Sequence, residues 1–136
     1  MQVHATTIAM QGRGLLILGP SGSGKSTLAL ELMAVGAALV ADDRTDLDER
    51  DGQVVASCPA PLRGRIEARG LGVLAADDAG PVPLALIVDL GRREDARMPQ
   101  SRKHELLGIA LPLVLGPYRP HLYAALRQIL LRGRVA

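Results

Sequence analysis

The eight residues Gly19-Pro20-Ser21-Gly22-Ser23-Gly24-Lys25-Ser26 have the spacing of a phosphate-binding loop, G-x-x-x-x-G-K-[ST]. Such a loop works only where a strand hands over to a helix, so it dictates local structure on both sides. The apolar run Leu15 to Leu18 reads as the strand. Thr27 to Val35 reads as the helix, with Leu28, Leu32 and Val35 at i, i+4 and i+7. Gly36 is placed to end that helix as its C′ residue. The glycines allow successive N–H groups to converge on one anion, and the helix N-terminus, entered at Thr27, adds partial positive charge. Lys25 suits the β- and γ-phosphates of a nucleoside triphosphate, and the Ser26 hydroxyl suits Mg²⁺. Of the sixteen Lys and Arg residues only Lys25 and Lys103 are lysine. The chain uses arginine nearly everywhere else, but a compact ammonium on a flexible stem fits a phosphate cradle better than a planar guanidinium.

With 136 residues the chain is expected to form one α/β domain, 1–136, with a mixed β-sheet and flanking helices. That is short for a phosphate-loop kinase with separate lid and acceptor inserts, which favours an acceptor bound on the surface or by a neighbouring subunit. Phe and Trp are absent and Tyr occurs twice, so the core must be aliphatic. The lack of stacking side chains argues against a nucleic-acid partner. The net charge of +2 is mild; Arg63, Arg65 and Arg69 form the one local basic cluster. A single cysteine, Cys58, excludes an intramolecular disulfide and fits a reducing compartment, and it reads as a strand-end residue rather than a nucleophile. The N-terminus has no signal-peptide pattern, and Leu84 to Leu90 is too short an apolar run to span a bilayer. The expectation is a cytoplasmic protein without a membrane partner.

Val3 to Met10 reads as a strand joined by the turn Gln11 to Gly14 to the strand before the loop. Ala37 to Ala41 reads as a buried strand running into Asp42-Asp43. Asp51-Gly52 signals a two-residue hairpin between Thr45–Arg50 and Gln53–Ser57. Leu71 to Ala75 and Leu84 to Leu90 are two further strands. Gln100 to Leu107 reads as a helix, Ile109 to Leu115 as a strand whose Pro112 needs an edge or bulge, and His121 to Leu131 as a final helix.

Chemistry at a phosphate loop needs a carboxylate to organise Mg²⁺ or the nucleophile. Two strand ends offer one. Leu84-Ala85-Leu86-Ile87-Val88-Asp89 has the pattern of an apolar strand ending in Asp. Asp42-Asp43 follows the strand after the loop's own helix, which puts it on the same sheet edge as the loop if the crossover is right-handed. Adjacent carboxylates suit a division of labour between proton acceptor and metal organiser.

These residues resemble the catalytic domain of the HPr kinase/phosphorylase family. The resemblance rests on His4 before a strand, Gly19 to Ser26, the helix, and Leu39-Val40-Ala41-Asp42-Asp43. It rests also on Glu67-Ala68-Arg69-Gly70-Leu71-Gly72, similar to the family's Glu-x-Arg-Gly-Leu-Gly signature, and more weakly on Pro117-Tyr118-Arg119-Pro120. It implies an HPr-kinase-like fold and an ATP- and Mg²⁺-dependent kinase acting on a serine of an HPr-type phosphocarrier protein. It implies Asp42 as general base supported by Asp43, Ser26 and Glu67 as Mg²⁺ ligands, and His4 near the phosphates. Arg69 belongs to the signature, and Arg119 resembles a cation near a subunit interface, so the resemblance also implies a homo-oligomer.

The chain departs from the family in several places. The family's N-terminal domain is not expected in this chain, Thr27 stands where Glu is usual, the signature has a different continuation after Gly72, and His121 replaces a glycine. The second arginine of the Pro117 stretch is also missing. The reading is a shortened, stand-alone version. Its acceptor and any reverse dephosphorylation stay open, beside two rivals: a catalytically weak nucleotide-binding regulatory module and a small-molecule phosphate-loop kinase. Lys25→Ala is expected to remove most ATP affinity in a titration, because the loop backbone alone leaves the terminal phosphate charge under-compensated. Equal affinity of the two forms would show that the loop is not the site.

Overall fold

The computed structural model describes residues 1–136. The elements are β1 (Gln2–Val3), β2 (Thr6–Met10), β3 (Arg13–Leu18), α1 (Lys25–Ala34), β4 (Ala38–Ala41), β5 (Thr45–Arg50), β6 (Gln53–Ser57), β7 (Arg65–Ala68), β8 (Gly72–Ala75), β9 (Val82–Arg93), β10 (Arg102–Leu106), β11 (Ile109–Gly116) and α2 (Leu122–Arg132). The main sheet has the order β1-β5-β6-β9-β3-β2-β4, with β11 also paired to β9 and β10 to β11. β3, β9 and β11 run parallel, while β2 is antiparallel to both β3 and β4. β4 therefore runs in the same direction as β3, one strand away, so the C-terminal ends of β3, β4, β9 and β11 share one end of the sheet. That end is where an α/β sheet binds ligands.

The two faces of the sheet are covered differently. Leu15, Ile17, Leu86 and Val88 point to the face where α1 packs Leu28 and Leu32 and α2 packs Leu122, Leu126 and Leu130. Both helices lie on this face. Leu16, Leu84 and Ile87 point the other way, against Leu47, Val54 and Ala56 from β5–β6 and Leu106, Leu111 and Leu113 from β10–β11. The sheet thus curls over its second face and supplies with hairpins the cover that a helix layer would provide. Aliphatic side chains fill both layers without any Phe or Trp.

Most expected elements are present, and α1 ends in a Schellman motif: Gly36 N–H donates to Met33 O and Ala37 N–H to Leu32 O. Asp51 and Gly52 both have positive φ, as the hairpin turn requires. The expected helix Gln100 to Leu107 is a strand instead. Leu107 and Gly108 adopt φ of 51° and 79°, a second two-residue hairpin turn, and β10 pairs along β11 from Arg102↔Leu113 to Leu106↔Ile109. The turn chemistry of Leu107-Gly108 and the sheet partner outweigh helical spacing. Pro112 lies where β11 has only β10 beside it, before pairing with β9 begins at Leu113↔Ile87. The expected Val3–Met10 strand breaks at His4-Ala5 into β1 and β2, and Leu71–Ala75 proves to be one arm of a hairpin whose other arm, β7, alternates exposed and buried over only four residues and is not among the expected strands. No helix is long and apolar enough to cross a membrane.

Leu28 is fully buried between α1 and the sheet. Leu28→Ala should cost about 2–5 kcal/mol of stability, read as a lower urea midpoint at unchanged slope. A smaller loss would mean that α1 is not locked to the sheet as described.

Candidate active site

The phosphate loop leaves β3 at Leu18 and turns through Gly19, Gly22 and Gly24, all at positive φ, before α1 starts at Lys25. No side chain caps α1; its N-cap is Gly24 in the left-handed region, so the first helical N–H groups face the loop's interior. The glycines are needed for space as well as φ. A Cβ on Gly19 would sit 2.4 Å from Ser23 Oγ, and one on Gly24 would sit 3.2 Å from the Tyr118 ring. Lys25 is only 8% exposed and donates from Nζ to Gly19 O at 2.7 Å and Pro20 O at 3.3 Å. Its ammonium therefore lies along the loop. Ser23 Oγ is buried with no hydrogen-bond partner in the protein, a polar atom of the kind a bound anion would satisfy.

The loop opens into a cavity of about 190 Å³ lined by no hydrophobic residue. Gly22, Gly24, Lys25, Ser26 and Thr27 form one side; Thr6, Asp43, Glu67 and Arg69 complete it. Residues from β2, from the end of β4 and from the β7–β8 hairpin thus meet the loop, although up to 63 positions separate them in the sequence. The walls suit phosphate and a hard cation, and they carry nothing that would stack a base.

Asp42 holds these elements together. It is 9% exposed and does not line the cavity. Its Oδ1 accepts from Ser26 Oγ at 2.7 Å and Thr6 Oγ1 at 3.0 Å, and its Oδ2 accepts from the Glu67 N–H at 2.9 Å. Three of about four lone-pair directions are therefore taken by protein donors. Asp43 differs in every respect. It is exposed, lies at φ 69°, faces the cavity, and its Oδ1 is 2.5 Å from His4 Nε2. The Asp43 N–H donates to Thr6 Oγ1 at 3.3 Å, so one threonine braces the carboxylate of Asp42 and the backbone of Asp43.

The cavity also fits Mg²⁺. No three His, Cys, Asp or Glu side chains cluster in the molecule, but Mg²⁺ commonly takes one or two carboxylates and completes its shell with phosphate oxygens and water. The Ser26 hydroxyl, polarised by Asp42, and the carboxylates of Glu67 and Asp43 are the oxygen donors within reach of one cavity.

Other candidate residues fall outside this group. Asp89 pairs in register with Leu18 at the right end of the sheet, but its Oδ1 accepts from the Gly91 N–H at 2.9 Å in a local turn and does not line the cavity. Arg119 is exposed and also lies outside the lining. The basic cluster divides: Arg63 pairs with Asp78 at 2.7 Å, Arg69 reaches the cavity, and Arg65 lies exposed on β7. Cys58 is half-buried and donates to Pro59 O; burial first, then the nearby Asp78, pushes its thiol pKa up, which keeps it an unreactive thiol.

Two residues of the site are given no role by the sequence, although Tyr118 lies in the Pro117–Pro120 stretch. Thr6 is an ordinary strand threonine until Asp42 and Asp43 fold against it. Tyr118 seats its ring against Gly24 and donates its hydroxyl to Glu31 Oε2 at 3.0 Å, tying the loop and α1 to the segment after β11. Burial and then the Glu31 carboxylate raise the Tyr118 pKa, so it stays a donor at neutral pH. Glu31 Oε1 is buried without a partner. Tyr118→Phe should therefore cost about 1 kcal/mol in chemical denaturation, because it leaves a half-buried carboxylate without its donor, yet ATP affinity should stay near normal. Tyr118→Ala should also weaken ATP binding, since the ring behind Gly24 is lost. Equal ATP affinity in all three forms would remove Tyr118 from the loop's support.

Comparison with known proteins shows the family and the fold. A profile of the HPr Serine kinase C-terminal domain matches residues 1–79. The chain is 44% identical over 73 residues to the HPr kinase/phosphorylase of Clostridium tetani, covering 54% of this chain and 24% of that protein. It is 45% identical over 73 residues to the HPr kinase/phosphorylase of Lactiplantibacillus plantarum, covering 53% and 23%. The matched stretch thus spans about a quarter of these relatives' length. The solved structure of the Hpr(Ser) kinase/phosphatase from Coxiella burnetii superposes with a TM-score of 0.80 at 29% identity, over 97% of this chain and 88% of that one. With more than half of its residues matched by the profile and nearly all of its backbone by a solved relative, the chain belongs to the HPr serine kinase C-terminal domain family.

Proposed function

We propose that this chain is a cytoplasmic, self-associating protein serine kinase whose 136 residues act as one catalytic domain, transferring the γ-phosphoryl of ATP to a serine of an HPr-type phosphocarrier. The observation that carries the reading is the wholly polar cavity in which the loop's Lys25 and Ser26 meet Asp43, Glu67 and Arg69. A module that only sensed nucleotide would need the loop, but would have no use for a free carboxylate beside it. A small-molecule kinase is disfavoured because the cavity has no apolar walls to hold a second substrate.

Roles follow from chemistry. Lys25 and the N–H groups at the start of α1 bind phosphate oxygens. Ser26 and Glu67 hold Mg²⁺, which when bound offsets charge on the phosphates. For the general base, the geometry favours Asp43 over the sequence-based assignment to Asp42. Asp42 is engaged by three donors behind the cavity, whereas Asp43 faces it and is held by His4. An acceptor hydroxyl beside the γ-phosphoryl would pass its proton to Asp43, with His4 fixing the carboxylate's direction. Asp42 then serves as the positioning residue for Ser26 and Glu67. Arg69 adds positive charge at the cavity wall, and Arg119 is reserved for contact with a neighbouring subunit.

The test is a set of amide variants assayed for ATP binding and for transfer to an HPr-type phosphocarrier. Asp43→Asn should cut transfer on the order of 10²–10⁴-fold and leave Mg²⁺·ATP binding nearly intact, since only the transition state uses the proton acceptor. Glu67→Gln should instead raise the Mg²⁺ requirement and recover partly at high Mg²⁺. Near-normal transfer by Asp43→Asn together with a dead Asp89→Asn would move the acidic partner to β9 and sink the assignment.

A further inference from the structure

The β7–β8 hairpin stands outside the main sheet, and its register separates its two faces. Ile66↔Leu74 and Ala68↔Gly72 lie on one, Arg65↔Ala75 and Glu67↔Val73 on the other, because directly opposed residues share a face. Ile66 is buried in the layer with α1. The opposite face stays open: Val73 is 67% exposed, and Leu71, in the connecting turn, is 82% exposed. Large apolar side chains this open, two residues apart in the chain, mark an interaction site more often than a random surface does. The hairpin is anchored as well, by the Glu67 N–H on Asp42, and the Ala76 N–H on Gly64 O at 2.9 Å closes its base.

The position of this face identifies its partner. Val73 is the direct cross-strand neighbour of Glu67, and Glu67 and Arg69 are the hairpin's contribution to the phosphate cavity. A protein that brings a hydroxyl to that cavity past Glu67 must cover Val73, and Leu71 lies two residues from Arg69 along the same turn. Arg65, exposed on the same face, makes no ion pair within the chain. We infer that the outer face of the β7–β8 hairpin, built from Leu71, Val73 and Arg65, is the docking surface for the phospho-acceptor protein. The acceptor's complementary chemistry is an apolar patch beside the serine, flanked by a carboxylate. This rests on the proposed kinase activity and adds how the acceptor is chosen: the cavity supplies the reaction and the hairpin supplies the affinity. The exposed apolar pair is the expected anchor, with Arg65 at its rim steering and orienting the approach.

The experiment measures initial rates over a range of HPr-type phosphocarrier concentrations, with ATP affinity and sedimentation recorded for each form. Leu71→Ser and Val73→Ser remove the apolar side chain from an already exposed position without placing a charge beside Glu67, and Val73→Ile serves as the conservative control. Each Ser variant should raise KM for the carrier about tenfold or more, while kcat and ATP affinity stay within about twofold and Val73→Ile behaves as the parent. A carrier that is phosphorylated with unchanged KM by both Ser variants overturns the inference and leaves the kinase reading standing. A raised KM accompanied by dissociation of an oligomer assigns the face to a second copy of the chain and also overturns it. A parent protein that binds ATP but phosphorylates no carrier overturns the functional reading, and this inference with it.

Discussion

The carboxylate of Asp42 is the contact on which the site depends. A nearly buried charge is tolerated only when its hydrogen bonds are met, and here each donor comes from a different part of the chain: Ser26 from the loop and α1, Thr6 from β2, the Glu67 N–H from the β7–β8 hairpin. Hydrogen bonds to a charged acceptor contribute about 1.5–3 kcal/mol each, so three of them can fix at the cavity the relative positions of elements that otherwise meet through apolar packing, as Ile66 does with α1. The hairpin shows this best. It is not part of the main sheet, and Glu67 enters the cavity because its own backbone is bound to Asp42. Asp42 thus acts on the cavity without lining it, by setting where the residues that do line it stand.

Why these elements arrive at one point is a matter of strand direction. β3, β4, β9 and β11 all finish at the same end of the sheet, and antiparallel β2 begins there, which brings Thr6 opposite Ile17 just before the loop. That common end collects the loop, the two aspartates and the segment carrying Tyr118. The curled second face matters in the same way. Because β5–β6 and β10–β11 fold over it, both helices can pack on the first face, where α1 presents its N-terminus to the loop and α2 supports α1 from the side.

Much of this was legible in the sequence because the signals were local. The loop's spacing, Gly36 as a helix stop and Asp51-Gly52 as a turn each act through their own backbone preferences. Asp42-Asp43 could be placed beside the loop from the crossover rule alone. What escaped depended on partners distant in the chain. Gln100 to Leu107 carries helix-compatible spacing, and only its pairing with Ile109 to Leu113 makes it a strand. Arg65 to Ala68 alternates polar and apolar over only four residues, too few to mark a strand by themselves, and it becomes one by pairing with Gly72 to Ala75. Thr6 stands in an ordinary strand and Tyr118 in a stretch that gives no role to its ring; their roles come from Asp42 and from Gly24, 36 and 94 positions away.

The order of the two aspartates is the least legible part, and geometry explains why. Consecutive residues at a strand end point to opposite sides, so two adjacent carboxylates cannot share one environment. Asp42 turns inward and meets donors from three directions. Asp43 leaves the strand in the left-handed region, a conformation that Asp tolerates better than most side chains, and comes out facing the cavity and His4. A sequence reading sees two equivalent acids and can assign either as base. The folded chain makes them unequal, because one is consumed by holding the site together and only the other keeps an oxygen directed at the cavity. Under the proposed function, the pair works because a single backbone reversal separates structural duty from chemical duty between neighbouring residues.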